Sequence, residues 1–445
     1  MKTTSAYEEL QDRFRRRALI GDALGILSWD QATIMPDGSA DGRAEQIATL
    51  SVMHHDLLVA PGVAELLEEA DDDPGDDWQR GNLREMRRAH GLASAVPGDL
   101  VAAAARANAA CEMQWRTARA ENDYPGFLPA LEEVLNLVRQ TAAARAEALE
   151  LEPYDALLEE YEAGARMTQI DPLFDRLADH LPAFLPRVLE RQDAQPAPVR
   201  PDGPFAAVQQ RDLAGKLMEA FGFDFSRGRL DISHHPFCGG AAGDVRITTR
   251  YNEDDFTESL MGVLHETGHA LYESGLPADW RYQPVGGALG MAIHESQSLL
   301  IEMQVSRSRP FLAFALPHMK AAFGGEGYAW KVDNLYRLYT QVAPGFIRVD
   351  ADEVTYPLHI ILRYRLERAL LSGDLALADL PGAWNDAMQT LLGITPLDDR
   401  LGCLQDVHWP SGAFGYFPTY TLGAMGAAQF FAAARREMLN IDDDI

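Results

Sequence analysis

The chain is poor in cysteine, in positive charge and in long apolar runs. Each shortage excludes something. Three cysteines, Cys111, Cys238 and Cys403, lie far apart in 445 residues. An odd number at such spacing is no disulfide framework and suits a reducing, cytoplasmic setting. No C-x-x-C pair offers a thiolate metal site. Lys+Arg 39 against Asp+Glu 67 leaves −28. That balance argues against nucleic acid, which needs a basic face, and against anionic membrane surfaces. The apolar stretch 18–27 is broken by Asp22, and Leu422 to Ala434 by Gln429. Both fall short of the ~20 residues a membrane span needs, and no secretory leader is visible. Repeats and low-complexity tracts are also lacking.

What is present is helix upon helix. Hydrophobic residues make up 47% and charged residues 24%, ordinary globular usage. The first half is dominated by Ala, Leu, Glu and Arg, strong helix formers. Apolar spacing of three and four predicts a helix over 7–27. Pro97 is expected to open a helix over 98–120, Pro129 one running to Leu149, and Asp171-Pro172 one ending near Arg191. The acidic stretch Asp71 to Asp77 reads as a solvated turn between helices. Four prolines within 195–204 mark a linker. After it, Arg229 to Ile232 and Val245 to Arg250 alternate like short strands, so a small β element is expected near 226–250. A buried helix is expected from about Thr421. The fold class is therefore mainly α.

The chemistry is concentrated in M-G-V-L-H-E-T-G-H-A-L-Y, residues 261–272. His265 and His269 stand four apart on one helical face, so their imidazoles can converge on one Zn²⁺. Glu266 adjoins a ligand and can reach metal-bound water, the position of a general base. The surrounding Leu260, Met261, Val263, Leu264 and Leu271 make this helix apolar on several sides, hence buried. A buried helix does not carry His, Glu and His uncompensated. A catalytic zinc site needs a third ligand. Glu273 lies on the same stripe, but three ligands on one straight helix converge poorly. Downstream, His294 and Glu295 point about 100° apart, so one of them faces the metal. A mixed His, His, Glu set, with one anionic ligand, favours Glu295.

These motifs resemble the carboxypeptidase Taq family of metallocarboxypeptidases. The resemblance rests on His235-Pro236-Phe237, on Asp244, Arg246 and Thr248, on His265 to His269, and on His294-Glu295-Ser296. It continues through Ile347, Arg348, Ala351 and Asp352, and through Gly402, Gln405, Asp406, His408 and Trp409. Leu27 to Pro36 and Tyr154 to Leu158 extend it over nearly the whole chain. One departure stands beside it: Leu299, Leu300 and Ile301 follow Ser298, where the family usually has Arg and an aromatic. The resemblance implies Glu295 as third ligand, a large helical zinc-peptidase fold with a deep active-site groove, release of single C-terminal residues with broad preference, and a homodimer. Co²⁺ or Mn²⁺ are possible substitutes for Zn²⁺.

Further roles follow from the chemistry. Stabilising the oxyanion needs donors beyond the metal. His408, Tyr416 and Tyr420 are the candidates, each tyrosine alternatively a core packer; the resemblance supports a tyrosine–histidine pair. A free α-carboxylate is best gripped by arginine. Arg348 is the first candidate and Arg246 the second, either alternatively paired with Asp244, Asp350 or Asp352. His235 and Gln405 are placed along the groove, each alternatively packed or hydrogen-bonded to backbone. Length alone allows about three domains. Motifs from His235 to Tyr420 meeting at one metal instead imply a single peptidase domain over 1–445, with a helical part to about 195 and a catalytic part from about 205. The competing readings are an endo-acting oligopeptidase on the same scaffold and a non-catalytic zinc-binding helical protein.

Overall fold

A computed structural model describes residues 5–70, 75–233, 236–438 and 440–441. Eight helices come first: α1 (Ala6–Thr33), α2 (Ala40–Val59), α3 (Val63–Glu69), α4 (Asp77–Ser94), α5 (Gly98–Glu121), α6 (Tyr124–Leu149), α7 (Pro153–Tyr161) and α8 (Met167–Asp193). The proline-rich linker leads to α9 (Ala207–Ala220) and to strands β1 (Gly228–Ile232), β2 (Phe237–Ala241) and β3 (Asp244–Thr249). Then follow α10 (Phe256–Gly275), α11 (Met291–Leu299), α12 (Arg309–Phe323), α13 (Val332–Tyr339), α14 (Tyr356–Ser372), α15 (Leu380–Leu392) and α16 (Pro418–Glu437). The fold is mainly helical with one small sheet, as expected from the sequence. Among the described residues no single helix is long and apolar enough to cross a membrane.

The sheet has order β1-β3-β2, with β1 parallel and β2 antiparallel to β3. The edge strand β2, second in sequence, was not expected. Its Gly239-Gly240 pair hides any alternation, and Gly240 takes φ +106, open to glycine at little cost. Two helix starts also differ from expectation. α6 opens at Tyr124 because the Asp123 carboxylate accepts from the Gly126 N–H at 2.9 Å, which leaves Pro129 inside the helix. α8 opens at Met167, whose N–H is taken by Asp155 at 2.7 Å, so Pro172 too lies inside. α16 begins at Pro418 rather than near Thr421. Asp71 to Pro74 of the acidic turn lie outside the described residues.

The largest core cluster gathers α6, α7, α14, α15 and the loop before α16 around Tyr154, Leu158, Leu362, Trp384 and Phe417. A second packs Phe205, Phe256, Leu264 and Leu312 beneath α10. Burial on this scale supplies the main driving force, ~25 cal/mol per Å² of apolar surface. Two glycines set how closely the site helices approach. A Cβ on Gly268 of α10 would stand 2.4 Å from the Gln297 carbonyl oxygen of α11. One on Gly423 of α16 would stand 2.7 Å from the Glu295 Cβ. Helix α11 is thus clasped between α10 and α16, and its Glu295 has little room to move.

Candidate metal centre

Helix α10 starts at Asp255, whose carboxylate accepts from the Thr257 N–H at 2.8 Å. Its buried residues include Leu260, Val263, Leu264, Thr267 and Ala270, so the helix is inserted into the core as its apolar sides require. His265, Glu266 and His269 ride on it. From α11, Glu295 enters the same space with 6% exposure. One donor atom from each of His265, His269 and Glu295 lies within 4.8 Å of the others, the one such group among the described residues. Glu295 Oε2 is 3.4 Å from His269 Nε2 and 3.9 Å from His265 Nε2. His294 does not join them; it stands behind His269.

The residues fit a divalent cation on charge as well as geometry. Burial alone would lower the His265 imidazole, yet the carboxylates of Glu295, Glu302 and Glu266 outweigh it and bring it up to about 10. Burial pushes the Glu266 carboxyl up to about 7, with Glu295 and Glu302 adding to the rise and His265 opposing it. A cluster this rich in carboxylates lacks positive charge, which a metal ion supplies. Two imidazoles and a carboxylate are also a donor set that zinc accepts.

Opposite α11 stand the residues of the C-terminal block. His408 Nε2 is 3.1 Å from the Tyr420 hydroxyl. The Tyr416 hydroxyl is hydrogen-bonded to that of Tyr420. Burial pushes Tyr420 up to about 12, with the nearby Arg348 guanidinium holding it back. The Glu295 carboxylate contributes to the upward shift of both tyrosines, so both hydroxyls lie within electrostatic reach of the metal ligand. Tyr161 of α7 packs edge-on against Tyr416, ring centres 5.0 Å apart.

Both candidate arginines already have acidic partners. Arg348 has 6% exposure, and its Nε and Nη2 donate to Asp406 Oδ1 at 3.1 and 3.0 Å. Its guanidinium lies over the Tyr420 ring at 4.7 Å. Arg363, fully buried on α14, donates from Nε to the other Asp406 oxygen at 2.7 Å. Asp406 is thus taken up by two arginines, and neither Asp350 nor Asp352 is the partner. Arg246 donates to Asp244 at 3.0 Å and covers the Trp29 ring at 4.5 Å.

Gln405 is engaged by backbone, the alternative its sequence reading carried. Its Oε1 accepts from the Arg348 backbone N–H (2.9 Å) and from Arg363 (2.7 Å). Its Nε2 donates to the carbonyls of Phe346, Leu401 and Gly402, each at 3.0 Å. With every polar atom engaged, it braces the loop rather than lining a groove. His235 lies outside the described residues. Leu299 belongs to a small core with Met303 and Ala427, and Ile301 packs on the α10 cluster, so the unusual apolar residues after Ser298 are buried packing. Sequence reasoning missed Glu302, Arg307 and Arg363. A lone acid in the apolar run 299–305 and a lone base in 360–364 were the available signals, the same signal that marked α10.

A family model described as carboxypeptidase Taq (M32) metallopeptidase matches residues 9–445. The chain belongs to the M32 carboxypeptidase Taq family. It is 40% identical to thermostable carboxypeptidase 1 of Thermus thermophilus over 98% of this chain and 88% of that one. Among solved structures it resembles metallocarboxypeptidase 1 of Trypanosoma cruzi, with TM-score 0.96 and 42% identity, covering 99% of this chain and 89% of that one. It also resembles the M32 carboxypeptidase of Deinococcus radiodurans, with TM-score 0.91 and 34% identity, covering 99% and 88%. As an M32 member it is a metallocarboxypeptidase, a hydrolase of peptides.

Proposed function

We propose that the chain is a zinc carboxypeptidase that releases single residues from peptide C-termini with broad side-chain preference. The observation that carries this is the convergence of His265, His269 and Glu295, with Glu266 beside them on α10. These three residues would hold the ion; Co²⁺ and Mn²⁺ are substitutes to be tested by metal analysis. A bound Zn²⁺ supplies Lewis acidity, acidifying water and polarising a carbonyl. Glu266 takes the proton from the attacking water and returns it to the leaving amine. Burial, the main cause of its raised carboxyl, makes Glu266 a better proton acceptor than a solvated carboxylate. Tyr420 donates to the developing oxyanion, with His408 fixing its hydroxyl and Tyr416 supporting it.

Recognition of the terminal carboxylate is assigned first to Arg348 and second to Arg246. Charge favours this order. Arg348 and Arg363 share the one carboxylate of Asp406, so the cluster carries an unmatched positive charge. Nearby His359 does not add to it or cancel it, since burial and Arg363 push it down to about 3. Arg246 is instead matched one to one with Asp244. The test is a pair of peptides differing only in C-terminal amidation. The free peptide is expected to be trimmed one residue at a time and the amide to resist. Undiminished cleavage of the amide favours the endo-acting reading and overturns this one.

A single peptidase domain, a homodimer and a cytoplasmic setting belong to the same proposal. Contacts between the two parts of the chain support the first: Glu162, beyond α7, accepts from the Ala292 N–H of α11 at 2.7 Å. Three free cysteines support the last. Light scattering of the purified chain tests the dimer.

A further inference from the structure

Behind each metal-facing imidazole stands a second polar group, and the two arrangements differ. His265 directs Nε2 towards Glu295, which leaves Nδ1 pointing away. Nδ1–H donates to Glu302 Oε2 at 2.9 Å. Glu302 is carried by a π-helical turn, Leu300–Ser306, which continues α11. Such turns widen a helix locally and re-aim one side chain. Its other oxygen is paired with Arg307, and both side chains are largely buried, 13% and 17% exposed.

The second arrangement is a relay through another histidine. His269 also presents Nε2 to Glu295, so its Nδ1 carries the proton. That Nδ1 lies 2.6 Å from Nδ1 of His294. Two N–H groups cannot face each other at this distance, so His294 Nδ1 is the acceptor and its proton sits on Nε2. His294 Nε2–H then donates to Glu273 Oε1 at 2.7 Å. Glu273 is one helical turn beyond His269 on α10 and is 37% exposed. Every proton in the chain His269–His294–Glu273 is thereby assigned. Tyr272, edge-on to His294 at 5.2 Å, keeps the ring in place.

We propose that Glu302, held by Arg307, and His294, held by Glu273, are positioning residues that fix the tautomer and aim of His265 and His269, and that the Glu302 arm contributes more to metal retention. This rests on the reading of His265, His269 and Glu295 as ligands. A buried, charge-paired carboxylate directly on an imidazole raises the basicity of that ligand with little screening. The relay ends on a partly solvated carboxylate and passes through a neutral ring, so its influence is weaker.

The experiment is competition for Zn²⁺ between the metal-stripped full-length chain and a chromophoric chelator. Circular dichroism verifies that each variant is folded. Glu302→Gln is expected to weaken Zn²⁺ binding ~10- to 100-fold, the usual loss for an outer partner of a metal ligand. Because Glu302→Gln leaves Arg307 without its carboxylate, the neutral pair Glu302→Gln with Arg307→Gln is measured beside it and is expected to show the same loss. His294→Phe, which keeps a ring but no acceptor, is expected to lose less. His294→Gln, which restores an acceptor, should recover part of that loss. Glu273→Gln is expected to show the smallest loss. Unchanged affinity in both Glu302 variants overturns the proposal, as does a larger loss in His294→Phe than in either. If the unmodified chain binds no equivalent of Zn²⁺, the ligand reading itself fails. If it binds one equivalent and the Glu302 variants match it, only the present inference fails.

Discussion

The two halves of the site are built in opposite ways. On the α10–α11 side, carboxylates outnumber cations: Glu266, Glu295 and Glu302 crowd around His265 and His269, with Arg307 and His265 opposing them. On the side of the C-terminal block, Arg348 and Arg363 share Asp406. The first half needs a cation and the second an anion to complete it. A peptide bearing a terminal carboxylate and a polarisable carbonyl presents matching demands, and the net −28 of the chain conceals this local polarity. The comparison teaches that whole-chain charge identifies partners to exclude, whereas the sign of each buried cluster identifies which end of a substrate goes where.

The comparison is broken most severely on the anionic side. Glu266→Gln keeps the shape of the side chain and removes its proton-accepting charge. Turnover is expected to fall ~10²- to 10⁴-fold while metal content stays at wild-type level, read by amino-acid release and metal analysis. Retained activity would sink the general-base assignment. On the cationic side the largest effect is on folding. Asp406→Ala leaves two buried guanidinium groups facing each other and is expected to cost about 3–5 kcal/mol in urea unfolding. A loss below ~1 kcal/mol would mean the cluster is not a closed charge network.

The two halves were also unequally legible in the sequence. His265, Glu266 and His269 sit within one helical turn or so, and period 3.6 alone places the histidines on one face. The Glu295 assignment needed only the next buried helix. Arg348, Asp406, His408 and Tyr420 are spread over three segments whose meeting depends on tertiary packing, so only the family's motifs pointed to them. The partner of Arg348 was misjudged for that reason: Asp350 and Asp352 are close in sequence, but Asp406, 58 residues on, is the one reached, while Arg246 does pair with Asp244. Gln405 stood open in sequence between groove and backbone, and only packing shows its amide serving carbonyls of its own surroundings. The helical class followed from composition. The starts of α6 and α8 did not: Asp123 is a local cap that the nearby Pro129 obscured, and Asp155 caps α8 from α7, a contact no local propensity encodes.

A finer comparison separates the two tyrosines. Tyr420 is hydrogen-bonded to His408 and covered by Arg348, whereas the Tyr416 hydroxyl is bonded to that of Tyr420 and its ring lies 5.4 Å from that of His408. Tyr420→Phe is therefore expected to lower kcat ~10²-fold, as loss of one oxyanion donor does, with KM little changed. Tyr416→Phe should cost less if its hydroxyl works by supporting that of Tyr420, as proposed. Equal losses in steady-state kinetics would remove the distinction.

The smallest effect concerns what lies beneath the cationic half. Glu367 on α14 is fully buried and accepts from Tyr154 (2.7 Å), Trp409 (2.9 Å) and the Gly415 N–H (3.2 Å), tying the C-terminal loop to α7 and α14. Burial pushes its carboxyl from an ordinary 4.5 up to about 7, and these donors offset only part of the rise. A raised carboxyl means that the folded state binds the proton more tightly than the unfolded chain. Its contribution to stability is therefore complete below about pH 4.5, declines as pH rises to about 7, and is level above that. Glu367→Gln cannot titrate, so any constant cost of the amide drops out of a slope. Urea midpoints of the wild type should fall relative to those of Glu367→Gln between pH 5 and pH 7, then run parallel. Glu266 is not among the donors to Glu367, so Glu266→Gln should leave that difference in slope intact; parallel curves throughout would show that Glu367 stays ionised on folding.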